Sequence, residues 1–232
     1  AECNKTSLKD FKVAIWSNDE LAPVSKEIAQ RCEEVGNQLN SVGTTVSFVA
    51  KPEHDFMKAE INYQLLLQSV MQSGLPEDEY QKIEKLASSL DKNDLSVDAI
   101  LAKGTVLSHR NWIRQNYARE QIKISWSKFF EEWDVLICPQ LATTAIEHDH
   151  RKISERTVMV DNQEQRYFQQ IFWPGLAVNA HLPSTVFPTG LSGDGMPIGL
   201  QVIGGAYEDK TTIKFAELYE EEFKAFVVPN LD

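Results

Sequence analysis

Residues 133–139 read WDVLICP, a run of apolar side chains that ends at a proline. The consecutive apolar residues 135–138 suit a strand that is buried on both faces, as the strands of a parallel sheet are. Ligand sites in open α/β sheets gather beyond the carboxyl ends of such strands. The loop from Cys138 to Thr144 is therefore a candidate wall of a binding site.

A strand–helix–strand pattern lies near the start of the chain. Phe11–Trp16 has the β-branched and aromatic residues of a strand, and Val24–Gly36 repeats apolar residues at helical spacing. We expect Gly36 to end that helix and Thr45–Val49 to form the second strand. Parallel pairing with a right-handed crossover is the default for such a unit, so these residues predict an α/β fold.

The middle of the chain, about residues 52–126, has a mainly helical pattern. The sequence SGLP at residues 73–76 predicts a break, and a further interruption is expected near Gly104 or Ser125. The predicted core residues of this segment are Ile61, Leu65, Val70, Trp112, Ile113, Tyr117, Ile122 and Trp126.

Two strands and a helix are predicted in the C-terminal part. The strands are Ser184–Phe187 and Ile198–Ile203, joined by a turn in which Gly193 and Gly195 can adopt positive φ. Asp209 is the predicted N-cap of the last helix. Its predicted apolar face comprises Ile213, Phe215, Leu218, Tyr219, Phe223 and Phe226. Because no long linker interrupts the chain, we expect residues 1–232 to be part of a single domain.

The charge and composition of the chain argue against two classes of binding partner, nucleic acids and membranes. The chain has 23 Lys and Arg against 34 Asp and Glu, a net charge of −11. Such a field repels phosphate backbones and anionic lipids, and no segment approaches the ~20 apolar residues of a membrane span. We therefore expect no nucleic-acid partner and no membrane partner.

The cysteine pattern and the first residues of the chain indicate the cellular compartment of the protein. The three cysteines, Cys3, Cys32 and Cys138, are an odd number without C-x-x-C spacing, which argues against a disulfide framework. The opening sequence AECNKTSLKDF lacks the basic and apolar segments of a signal peptide. These features predict a cytoplasmic protein.

Few residues form a recognisable catalytic or metal-binding pattern. The chain has no G-x-S-x-G, P-loop, dinucleotide-binding or H-E-x-x-H motif. Glu147–His150 reads EHDH, but its two histidines fall short of a metal site, and a polar surface turn is the favoured interpretation. Cys138 with a histidine of that segment could form a thiol nucleophile and base, although a cysteine within VLICP more often fills a core. We predict no metal and no cofactor.

Three segments, in order, resemble the C-terminal part of amidase signature family hydrolases. They are WDVLICP at 133–139, LPSTVFPTG at 182–190 and GMPIGLQVIG at 195–204. The family patterns are W-D-x-L-L-x-P, L-P-x-x-x-x-P-x-G and G-L-P-x-G-x-Q-x-x-G, followed by an amphipathic helix. The EHDH segment and the opening LKDFKVAIW also resemble bacterial members, whereas His181 and Met196 replace the usual Gly and Leu.

The resemblance implies part of an α/β/α layered fold with a mixed central sheet, incomplete in this chain. In the family a Ser, cis-Ser, Lys triad lies in a Gly-Gly-Ser-Ser-Gly-Gly stretch of an N-terminal half. No segment here matches that stretch, so no catalytic residue is carried over to this chain. The implied partners are a small-molecule amide and the N-terminal half of the same enzyme. By itself the chain is expected to pair with a copy of itself, to retain that half, or to aggregate.

The candidate substrate-binding residues lie after the 135–138 strand and in an F-W-P-G segment that reads as a turn. They are Cys138, Pro139, Gln140, Leu141, Phe172 and Trp173. Strand ends and aromatic loop residues line apolar sites, but core packing stays open for each of them.

Two other functions stay open beside the amidase. One is a non-catalytic binding or assembly subunit whose acidic surface docks a basic partner. The other is a thiol hydrolase that uses Cys138 and a histidine.

Overall fold

The computed structural model describes residues 2–152 and 155–229. These residues divide into two compact units, which we call the sheet unit (residues within 1–53 and 126–232) and the helical unit (54–125). The single-domain organisation expected from the sequence stays a prediction. Among these described residues, none of the helices has both the length and the apolar character that a membrane span requires.

The sheet unit is built on a five-stranded mixed sheet. The strands are β1 Lys12–Ile15, β2 Thr45–Ser47, β3 Val135–Pro139, β6 Ser184–Leu191 and β7 Pro197–Gly204. Their order across the sheet is β2-β1-β3-β7-β6. β1 runs parallel to β2 and β3, and β7 runs antiparallel to β3 and β6. The predicted α/β class, the parallel opening unit and the buried strand at 135–138 are confirmed.

One face of the sheet carries the main hydrophobic core. Helices α1 (Lys26–Ser41) and α7 (Asp209–Phe223) contribute buried residues to it, along with alternate residues of β1, β3 and β7. Ser25 caps α1 by accepting a hydrogen bond from Ile28 N at 3.3 Å. This face therefore holds the strands in their order by burying side chains from both ends of the chain.

The predicted end of α1 at Gly36 is wrong, because the helix continues to Ser41. A Cβ at Gly36 would lie 2.5 Å from the Phe48 ring and 3.1 Å from Ile15. The glycine thus permits close packing of the helix on the sheet and does not terminate it.

The terminal helix differs in detail from its prediction. Its N-cap is Glu208, and Asp209 is its first residue. Phe215, Leu218 and Tyr219 are buried as predicted. Ile213 is exposed on the helix, and the exposed Phe226 lies beyond its end at Phe223, so neither belongs to the core.

The strands β6 and β7 form the predicted hairpin, and β6 extends further than predicted, to Leu191. In the turn, Ser192 N donates to Met196 O at 2.7 Å and Gly195 has φ 78°. A second hairpin, β4 (Thr157–Val160) with β5 (Gln163–Arg166), was not predicted. Helix α6 (Phe172–Ala180) follows it.

The helical unit confirms the mainly helical middle of the chain. Its helices are α2 Phe56–Met71, α3 Glu77–Ser89, α4 Val97–Thr105 and α5 His109–Phe129, the last four residues of α5 being counted with the sheet unit. Breaks occur at residues 73–76 and just after Gly104, whereas Ser125 lies inside α5.

The predicted core residues of this segment divide into three groups. Ile122 and Trp126 are buried, and Ile61, Leu65, Trp112 and Ile113 are half-buried. Val70 is 66% exposed and Tyr117 is 69% exposed, so the prediction of these two as core residues is wrong. Each shares its helix with buried residues but lies on the solvent face.

Gly104 is expected to be required for the packing of α4 on α2. A Cβ there would lie 2.8 Å from Gln68 Cβ and 3.2 Å from the backbone of Leu65. Gly104→Val should lower the free energy of unfolding by about 1–3 kcal/mol, because those neighbours must move. Gly74→Val is the matched control, since nothing lies within 4 Å of a Cβ at Gly74. Urea denaturation followed by helical circular dichroism measures both, and equal stabilities would contradict the prediction.

Candidate functional site

The loop that follows β3, residues 140–144, is the centre of the predicted site, and we call it the wall loop. Cys138 and Pro139 end β3 and are buried. Gln140 is half-buried, and Leu141 is 47% exposed. Of the predicted residues in this segment, only Gln140 and Leu141 therefore present side-chain surface to a ligand.

Buried amide groups hold the wall loop from both sides. Gln201 Nε2, on β7, donates to Pro139 O at 3.1 Å and to Trp173 O at 2.7 Å. Ala142 N donates to Gln170 Oε1 at 3.0 Å, and Ser25 N donates to Ala142 O at 2.7 Å. These hydrogen bonds hold the loop in one conformation without a ligand. Less conformational entropy is therefore lost when a ligand binds.

Phe172 and Trp173 do not lie in a turn, as the sequence suggested, but are the first two residues of α6. Both are buried and pack against Trp16, with ring centroids 6.2 and 5.4 Å from it. Trp173 Nε1 donates to Ala22 O at 3.1 Å. Their burial in this aromatic cluster favours the packing role that the sequence left open.

A second loop, residues 18–25, was not predicted as part of the site. Its carbonyl oxygens accept hydrogen bonds from three side chains of the segment 165–173. Gln169 Nε2 donates to Leu21 O and Gln165 Nε2 donates to Pro23 O, both at 3.0 Å. The third bond is the one from Trp173 Nε1 to Ala22 O. The sequence signal that could have found it is the glutamine-rich run QEQRYFQQ at 163–170.

The second loop borders an open cleft of about 490 Å³ at the carboxyl ends of β1 and β2. The cleft is lined by Asn18, Asp19, Glu20, Leu21, Pro23 and Lys51. Lys51 Nζ lies 3.5 Å from Asp19 Oδ2 and 4.4 Å from the centroid of the Trp16 ring. Ser25, at the end of this loop, bonds the wall loop, so both loops occupy the same edge of the sheet.

The two buried cysteines, Cys32 and Cys138, are poorly suited to nucleophilic attack. Burial, with a smaller contribution from neighbouring Cys32, raises the pKa of the Cys138 thiol well above its ordinary value. Burial likewise raises the pKa of Cys32. A thiol that stays protonated is a weak nucleophile, so the structure gives no support to the thiol hydrolase.

The EHDH segment is polar and mostly exposed, as predicted, but its backbone is irregular and not a turn. His148 and His150 are exposed, with ring centroids 6.1 Å apart. Asp149 pairs with Arg151, and hydrogen bonds from the Arg151 side chain and backbone lower the pKa of Asp149 to about 2. Among residues 2–152 and 155–229, no three His, Cys, Asp or Glu side chains are grouped as a metal site.

A serine–histidine pair in the helical unit was also missed by the sequence analysis. His54 Nδ1 and Ser125 Oγ lie 3.1 Å apart, and burial lowers the pKa of His54 to about 4. These are the first and last residues of the helical unit. Their hydrogen bond therefore ties together the two ends of the unit.

Cysteine reactivity should follow burial. We expect iodoacetamide near neutral pH to label the half-buried Cys3 before Cys32 or Cys138, because both of the latter are buried thiols. Mass spectrometry of tryptic peptides over a time course measures the order. Rapid labelling of Cys138 in the folded protein would revive the thiol hydrolase.

Gln201 should contribute more to stability than its partner Ser184. Gln201→Leu removes both bonds to carbonyl oxygens and should cost about 2–4 kcal/mol of unfolding free energy. Ser184→Ala removes only the 3.0 Å bond from Ser184 Oγ to Gln201 Oε1 and should cost about 0.5–1.5 kcal/mol. Urea denaturation followed by tryptophan fluorescence compares them, and similar losses would refute the special role of Gln201.

Comparison with known proteins identifies relatives along nearly the whole chain. A family model described as Amidase matches residues 1–213. A glutamyl-tRNA(Gln) amidotransferase subunit of Thermodesulfovibrio yellowstonii is 24% identical over 231 residues, a match that covers 92% of this chain and 45% of that protein. The chain thus spans about half the length of the curated relatives it matches.

Solved structures share the fold at low sequence identity. The corresponding glutamyl-tRNA(Gln) amidotransferase subunit from Thermotoga maritima superposes with a TM-score of 0.66 at 18% identity, covering 97% of this chain and 46% of that one. A bacterial aryl acylamidase of the amidase signature family gives a TM-score of 0.64 at 18% identity, with coverages of 91% and 43%. The resemblance drawn from the three sequence segments is confirmed: this chain belongs to the amidase signature family and represents part of its domain.

Proposed function

We propose that this chain is the C-terminal, pocket-forming half of an enzyme that hydrolyses a carboxylic amide. The observation that supports it is the wall loop, which buried amides hold at the carboxyl edge of the sheet while Leu141 stays exposed. A rigid loop with an exposed apolar side chain at this edge suits a substrate pocket. Gln140 and Leu141 are the proposed substrate contacts.

The other four predicted site residues lie behind the surface formed by Gln140 and Leu141, and we propose that they support it. Cys138 and Pro139 anchor the loop to β3, and Pro139 O takes the bond from Gln201. Phe172 and Trp173 pack behind it against Trp16. These residues position the contacts and do not touch the substrate themselves, because all four are buried.

The chemistry would be supplied by the Ser, cis-Ser, Lys triad that the family resemblance assigns to an N-terminal half. A serine oxygen attacks the amide carbonyl carbon, and the second serine and the lysine relay its proton to the departing amine. Water then cleaves the acyl-enzyme and releases the carboxylic acid. This chain contributes the scaffold and one wall of the pocket, and we propose that it is inactive alone.

A binding or assembly subunit is the second candidate. The net charge of −11 favours it, because an acidic surface attracts a basic partner. Raising the salt concentration would then release a co-purifying protein, with no amide hydrolysis by any polypeptide that contains this chain.

The test compares the product of the whole coding frame around Ala1 with residues 1–232 alone, using aliphatic amides and anilides as substrates. We expect hydrolysis by the whole product and none above background by the isolated chain, because the nucleophile lies outside it. Release of ammonia or aniline measures turnover. Cys138→Ala is the control, and turnover by the isolated chain that survives this substitution would show a nucleophile elsewhere in it.

A further inference from the structure

We propose that the open cleft beside loop 18–25 binds a protonated primary amine on a short aliphatic chain, and that the amide substrate carries this group. The proposal rests on the proposed function, because it names the substrate class of the same enzyme. It goes further by assigning a charge to the substrate and a place in the sheet unit where that charge is held.

The cleft has more carboxylates than ammonium groups. Its lining carries two carboxylates, Asp19 and Glu20, and one ammonium, Lys51, which leaves one negative charge in excess. The chain around it is also acidic, with a net charge of −11. An anionic ligand is repelled by this field, whereas a cationic ligand is attracted.

Lys51 shows which kind of cation this surface accepts. Its Nζ atom lies 3.5 Å from Asp19 Oδ2 and 4.4 Å from the centroid of the Trp16 ring. A primary ammonium is attracted both by a carboxylate and by the face of an aromatic ring. The chain thus already holds one primary ammonium in the cleft, and this ammonium offsets the charge of Asp19.

Glu20 carries the charge that is left for a ligand. Its side chain is exposed, and within residues 2–152 and 155–229 it makes no hydrogen bond or ion pair. Asp19, in contrast, pairs with Lys51 and accepts a hydrogen bond from Leu21 N at 3.0 Å. A calcium ion takes ~6–8 oxygen ligands, far more than one available carboxylate supplies. An ammonium needs only one counter-charge, so it fits this lining better.

The apolar part of the lining suits an aliphatic chain. Leu21 and Pro23 are half-buried and line the same cleft as Glu20. β1 lies between β2 and β3, and neighbouring strands are about 5 Å apart, so the cleft lies on the order of 5–10 Å from the end of β3. A chain of a few carbon atoms spans that distance to the wall loop and Leu141. The substrate class is therefore an amide with a primary amine a few carbon atoms from the amide group.

The cleft keeps its shape without a ligand. Asn18 Oδ1 accepts a hydrogen bond from Val24 N at 3.0 Å, and Trp16 Nε1 donates to Asn18 O at the same distance. Together with the bonds from Gln165 and Gln169 to its carbonyl oxygens, they hold loop 18–25 in one conformation. Little conformational entropy is then lost when an amine binds.

Two substitutions with opposite expected effects test the charge of the cleft. The probe is n-butylammonium, and ligand-observed NMR titration measures its dissociation constant from the product of the whole coding frame. Glu20→Gln should raise that constant at least about threefold, because the available carboxylate is lost. Lys51→Gln should lower it at least about twofold, because a competing ammonium is removed and Asp19 becomes available.

Matched control substitutions lie at the opposite edge of the sheet. Lys9 precedes β1 and Glu132 precedes β3, so both exposed side chains lie near the amino ends of those strands. Lys9→Gln and Glu132→Gln should change the dissociation constant by no more than about 1.5-fold, since about 0.15 M salt screens charges beyond about 8 Å. The uncharged and anionic probes of similar size are n-butanol and butyrate.

Four results would overturn the proposal. They are no measurable binding of n-butylammonium, tighter binding of n-butanol or butyrate, weaker binding by Lys51→Gln, and equal effects of the cleft and control substitutions.

Amide turnover separates this proposal from the proposed function. Two pairs of anilides and alkylamides are compared, in which the amine lies on the acyl chain or on the leaving group, each beside its methyl-terminated counterpart. In at least one pair kcat/KM should be at least about fivefold higher for the amine, and Glu20→Gln should reduce that preference to less than about twofold. Equal kcat/KM within both pairs would overturn the amine site and leave the amidase standing. The expected binding pattern without hydrolysis of any amide would refute the amidase and leave the amine site standing.

Discussion

The side-chain amide of Gln201 joins three parts of the sheet unit from a fully buried position in β7. Its nitrogen bonds the carbonyl oxygens of Pro139 and Trp173, and its oxygen accepts from Ser184. An apolar residue of similar size would fill the space but leave those groups without this partner, at a cost comparable to the bonds themselves. The end of β3, the start of α6 and the start of β6 therefore depend on one side chain for their mutual position.

The same solution recurs at the neighbouring loops. Gln165, Gln169 and Gln170 each bond a backbone group of loop 18–25 or of the wall loop. Loops lack the regular hydrogen bonds of helices and strands, so buried loop backbone needs side-chain partners. A primary amide supplies both donor and acceptor, which suits glutamine to this task. The rigidity of the proposed pocket wall thus comes from a few amides distributed along one short segment.

The elements that a local sequence pattern determines were predicted best. A strand buried on both faces has a continuous apolar run, so VLIC at 135–138 identified β3 directly. Prediction failed where a residue serves a distant contact: Gly36 is small because Phe48 packs against it, and it does not end α1. The F-W-P-G segment suggested a turn, yet Pro174 lies in the first turn of α6, where a proline breaks no helical hydrogen bond. The glutamine bonds were missed because their partners, such as Gln165 and Pro23, are 142 positions apart.

The wall loop and the edge strand β6 both accept hydrogen bonds from residues that are distant in the sequence. The described hydrogen bonds that hold the wall loop and the end of β3 beside it come from residues of the sheet unit, namely Gln201, Gln170 and Ser25. Its conformation is therefore set by this chain. The far end of β6 is held in a similar way, because the side chain of Arg31 on α1 donates to the carbonyl oxygens of Thr189 and Leu191. Because β7 lies between β3 and β6, Gln201 on β7 reaches Pro139 at the end of β3 on one side and Ser184 at the start of β6 on the other, so the start of the wall loop and the edge strand share one anchoring residue.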